Sequence, residues 1–168
     1  PFSKGAFIQG QQQLLAFGME AKKVVPTLKA IQDAVAAAGG SSQQLSDVTF
    51  VLAQIQAAGK ITGQDLMQLG QRGINAAELI GSQMGKTGAQ IRQEISNGSL
   101  DATKAIDMLV AGMSEKFGGA AANVKQTWEG ATQRVSAQVR NLGANLTKYL
   151  VRPTGGGDLV KFIGAVGD

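Results

Sequence analysis

The chain has 168 residues, a net charge of +4, and neither cysteine nor histidine. Those two absences exclude disulfide frameworks, thiol nucleophiles, Cys/His zinc sites, histidine general bases and the Ser-His-Asp triad. With 43% hydrophobic residues, 23 glycines, 3 prolines and abundant Ala and Gln, it is one weakly charged, helix-forming domain rather than a Pro/Gly-rich disordered tract.

Glycine breaks separate stretches whose apolar residues recur at helical spacing, and no stretch alternates as a β-strand does. The expected fold is all-α, a compact multi-helix domain followed by one long basic helix. Gly5 to Phe17 reads as a Gln-rich first helix. Glu20 to Ala38 reads as a second, with Val24, Val25, Leu28, Ile31 and Val35 on one face. Pro26 predicts a kink or a fresh start within it, because proline lacks the N–H donor and clashes with the preceding turn. Gly39-Gly40 stops it. Ser41 with Gln44 reads as a capping box opening a helix over Leu45, Val48, Val51, Leu52 and Ile55, ended by Gly59.

Three short helices follow. Thr62 with Asp65 opens one over Leu66 and Leu69, closed near Gly73. Asn75 with Glu78 opens another over Leu79, Ile80 and Met84, closed at Gly85. Thr87 with Gln90 opens the third over Ile91 and Ile95, closed at Asn97-Gly98. Ser99 or Asp101 caps the next helix, which turns Ile106, Leu109, Val110, Met113 and Phe117 inward. In each case a side-chain oxygen satisfies orphan N–H groups at the start, and a glycine takes the left-handed turn at the end.

From about Ala120 to Arg152 there is no proline, which predicts a helix about 50 Å long. Its apolar positions are Val124, Trp128, Ala131, Val135, Val139, Leu142, Leu146 and Tyr149, three or four apart, a heptad-like seam with one stutter. The seam either packs on the preceding bundle or pairs with copies of itself. Pro153 stops the helix, and Gly155–Gly157 predict a flexible joint before a short apolar tail. The expected organisation is a lead-in at 1–19, a compact domain at 20–118, the basic helix at 119–153 and the joint and tail at 154–168. The chain opens on Pro1, which reads as an excerpt or processed product of something longer.

Charge is uneven. Residues 1–115 are neutral overall, whereas 116–153 hold Lys116, Lys125, Arg134, Arg140, Lys148 and Arg152 against Glu129 alone. A basic rod suggests an acidic partner, and Lys125, Arg134, Arg140, Lys148 and Arg152 are the candidate contacts. They fall around the helix rather than on one stripe, which argues against sequence-specific nucleic-acid readout. No apolar run approaches the roughly 18–20 residues of a membrane span.

Motifs for chemistry are weak. GSQMGKT at 81–87 has three residues between its glycines where a P-loop needs four, and reads as a helix end followed by a helix start. GKIT at 59–62 reads the same way. Asp101 and Asp107 are not paired for acid–base work, and Arg72 and Arg92 read as solvated or salt-bridged. No catalytic, cofactor or metal residue is assigned. The candidate interface is the seam itself: Val124, Trp128, Val135, Val139, Leu142, Leu146 and Tyr149.

The stretch from LLAFG at 14–18, through LAQIQAAGKITGQDLMQL at 52–69 and QRGI at 71–74, to SNGSLDATKAID at 96–107 resembles the tape measure domain of tailed-bacteriophage and prophage tail proteins. The resemblance covers about residues 14–130. KQTWEGATQRV is similar to the family's passage into a long helix. Asn75 departs from the pattern, since related chains often place proline after the RGI turn. The resemblance implies a structural virion protein, made in the host cytoplasm, that lies in the tail tube lumen, sets tail length and leaves ahead of the DNA. It implies tail tube and tail tip or baseplate proteins as partners, a homo-oligomer with a trimer expected, no cofactor and no catalysis. The alternatives are a helical scaffold or binding module outside phage, and a nucleic-acid- or membrane-binding helical protein.

Overall fold

The computed structural model describes residues 2–125 and, singly, Arg140. The described residues fold into seven helices: α1 (Lys4–Ala16), α2 (Ala21–Ala37), α3 (Ser42–Ala58), α4 (Gly63–Gln71), α5 (Ala76–Met84), α6 (Gly88–Ser96) and α7 (Ala102–Phe117). Residues 120–125 are helical as well. The fold is all-α. The described residues up to Lys125 form one compact unit, and the long basic helix expected at 119–153 lies, beyond residue 125, outside the described residues apart from Arg140.

α2, α3 and α7 supply most of the core. Leu28 and Ile31 of α2, Leu45, Leu52 and Ile55 of α3, and Leu109 of α7 are fully buried, and α5 adds Ile80. α2 and α7 run parallel. The Lys23 ammonium of α2 pairs with the Asp107 carboxylate at 3.2 Å, and ten residues further along α2 Asp33 reaches the residues just past α7. α1, within the segment read as a lead-in, packs on α3 and brings Ala6 and Leu14 into the same core, joined by Met19. α1 also lies close to α2 at Gly10, where a Cβ would stand 2.7 Å from Cδ2 of the α2 residue Leu28. The buried Thr49 hydroxyl donates to the Leu45 carbonyl at 2.7 Å, so it sits in the core already satisfied.

Gly59 ends α3 in the left-handed conformation (φ 81°), and its carbonyl accepts from the Ala102 N–H at 3.0 Å. Beside this contact Lys60 and Asp101 form an isolated antiparallel bridge. The three short helices therefore leave and return at one neck between α3 and α7.

Four local expectations change. α2 does not restart at Pro26, which lies inside a single 17-residue helix. The carbonyl left without an N–H partner there is that of Lys22, an exposed first-turn residue that water can serve. Val25 is 44% exposed, because the buried line is Val24, Leu28, Ile31 and Val35, and Val25 stands one residue round from it. Ser41 is the N-cap of α3, yet its side chain accepts no cap bond, and the Gln44 amide donates to the Arg72 carbonyl at 2.5 Å instead. Asn75 precedes α5 without a side-chain cap. At α7 the choice between two caps resolves to Asp101, which accepts from the Lys104 N–H at 2.7 Å, while the Ser99 hydroxyl donates to the Glu94 carbonyl.

Candidate functional site: the exit from the helical body

The motifs that resemble chemistry are helix joints. In GSQMGKT, Gly85 ends α5 in the left-handed conformation and Thr87 opens α6 with a complete capping box to Gln90. Gly81 packs against the Lys86 carbonyl, and the Lys86 ammonium pairs with Glu94 across the joint. In GKIT, Gly59 closes α3 and Thr62 opens α4 with a capping box to Asp65. Asp101 is a cap, Asp107 pairs with Lys23, and Arg72 lies 3.8 Å from Asp47 while donating to the Gln68 carbonyl. Arg92 borders a cleft of about 740 Å³ between α4, α5 and α6, otherwise lined by uncharged residues such as Leu66, Met67, Ile74 and Ile95. Among the described residues no three His, Cys, Asp or Glu groups are placed to hold a metal, and no helix is long and apolar enough to cross a membrane.

The most specific construction is where the chain leaves the body. The Gly118 N–H donates to the Ser114 carbonyl at 3.0 Å and finishes α7. Gly118 then turns extended (ψ 128°), and Gly119 takes φ +85°, a region that L side chains rarely enter. A new helix starts at once, with the Asn123 N–H donating to the Gly119 carbonyl at 3.1 Å. Its first N–H groups are capped from a distance. Asp33 of α2 accepts from the Gly119 N–H at 3.2 Å and from the Ala121 N–H at 3.0 Å. A carboxylate at a helix N-terminus also meets the positive end of the helix dipole. The Lys116 ammonium lies over the Phe117 ring, 5.5 Å from its centroid.

Of the residues assigned to the seam and the basic rod, Val124 is 41% exposed, and Lys125 and Arg140 are exposed. Trp128, Arg134, Val135, Val139, Leu142, Leu146, Lys148, Tyr149 and Arg152 lie outside the described residues. Asp33 is the residue that sequence reasoning misses. Its partners lie 86 and 88 positions away, so no spacing rule within α2 marks it.

Packed helices, close-fitting joints and a capped exit make this a helical structural module. The family model described as tape measure protein matches residues 2–148, and the chain belongs to that family, whose members are structural components of phage tails. No curated protein and no solved structure matches it.

Proposed function

We propose that this chain is the part of a tail tape measure protein in which a helical body passes into a length-setting rod. The family match carries the reading, because it spans the body and nearly all of the basic segment without interruption. In this reading the protein occupies the tail tube lumen, sets tail length during assembly and leaves before the DNA. A helix rises about 1.5 Å per residue, so residue count encodes length. A weakly charged Ala/Gln surface slides easily, and Lys125, Arg134, Arg140, Lys148 and Arg152 meet an acidic partner, taken here as the tube wall. Tail tube and tail tip or baseplate proteins are the partners, and copies of the chain associate, as a trimer, along the seam from Val124 through Trp128 to Tyr149.

In-frame deletions in the long helical part of the full-length protein should shorten tails by about 1.5 Å per residue removed, as measured by electron microscopy. Tails of unchanged length would defeat the length-setting role. Charge reversal by Arg134→Glu, Arg140→Glu and Lys148→Glu together should impair tail assembly, and normal tails would remove the acidic partner.

A further inference from the structure

We propose that Asp33 is a latch that keeps the chain broken at Gly118-Gly119, and that releasing it fuses α7 with residues 120–125 into one continuous helix. The break is only two residues wide, with helix on both sides. The new helix opens on Ala120, Ala121 and Ala122, the best helix formers, and no Ser, Thr, Asp or Asn stands at Gly118 or Gly119 to cap it locally. Asp33, on another helix, supplies the cap instead. The break is therefore a property of tertiary packing, held only while α2 lies along α7.

Glycine at both positions allows either state. In the broken state a Cβ on Gly118 would stand 2.5 Å from the Ser114 carbonyl oxygen, and any side chain on Gly119 would be strained at φ +85°. In a continuous helix both glycines are tolerated at a modest cost in propensity, and the N–H groups now held by Asp33 turn to carbonyls one helical turn back. The Lys23–Asp107 pair lies at the far end of the same α2–α7 contact, so displacing α2 removes the clamp and the latch together. The chain then has a bent form, with α2 docked, and a straight form in which the helix begun at Ala102 runs on without interruption. This inference rests on the junction geometry alone and stands apart from the role in tail length.

The test is carbon-13 Cα secondary shifts of the full 168-residue chain. The wild type should show non-helical values at Gly118 and Gly119. Asp33→Ala should move both residues to helical values while the signals of Leu28 and Ile31 stay at their folded positions. Non-helical values retained in Asp33→Ala with that core intact would overturn the latch. A second variant removes the dependence on α2. Gly118→Ala with Gly119→Ala penalises the break sterically and favours the helix, so helical shifts through both positions with α2 still folded are expected. Loss of the core in this variant would overturn the proposal, because it would show that the body requires the break.

Discussion

α2 and α3 each run 17 residues and bury eight and seven of them, and neither has a side-chain cap, whereas α4 and α6 run nine residues each, bury one and two, and each carries a complete capping box. Length alone does not sort them. α5 is also nine residues long, buries five, and has no side-chain cap. α7 has both means of support, six buried residues and the Asp101 cap. A short helix is marginal in water because its nucleation is costly. It persists here either by burial against neighbours or by having its orphan N–H groups met at the start. The body thus contains a scaffold held by packing and two outlying helices that lean on local hydrogen bonds.

The strongest way to break this contrast is Leu52→Ala in α3. Leu52 is fully buried, and its truncation should destabilise the body by about 2–5 kcal/mol, measured by urea unfolding. A loss below about 1 kcal/mol would mean that packing does not dominate the scaffold. Gly112→Ala should have an intermediate effect and tests a sign. In an open helix interior, Gly to Ala gains up to about 1 kcal/mol. At Gly112 the new methyl would lie 2.6 Å from the Leu79 carbonyl oxygen of α5, so a net loss of about 1–3 kcal/mol is expected. A gain in midpoint would show that α5 and α7 are less closely apposed. The smallest effect sharpens the other side of the contrast. Thr62→Ala removes a capping box and should cost about 1 kcal/mol, with faster amide exchange confined to α4. Ser41→Ala, at a position that makes no side-chain cap bond, should stay within about 0.5 kcal/mol. Equal losses at the two positions would erase the distinction.

The helix boundaries and the two threonine capping boxes were legible because their signals are local. Thr62 and Asp65, or Thr87 and Gln90, meet across one turn whatever surrounds them. The same spacing misleads at Ser41 and Gln44, where a carbonyl 28 positions away captures the glutamine amide. Val25 belongs to the apolar face by its chemistry and lies off it by angle. Pro26 carries the signal of a kink or a fresh start, yet so near the helix start it forfeits only a bond that water can replace. Asp33 was illegible for the strongest reason, since its role exists only once α2 lies beside the end of α7. The P-loop-like string has one residue too few between its glycines, and the structure shows it as a turn between α5 and α6.

The neck formed by Gly59, Lys60, Asp101 and Ala102 has a mechanical meaning. Tension applied to the two ends of the body would pass from α3 to α7 across this bridge, because the chain between its two sides begins and returns at the same place. α5 stays packed on α7 at Leu79 and Gly112, while α4 and α6 hang beside the load path. When the neck and the α5–α7 packing part together, residues 60–101 are released as hidden length, and the body extends in a step rather than by gradual stretching.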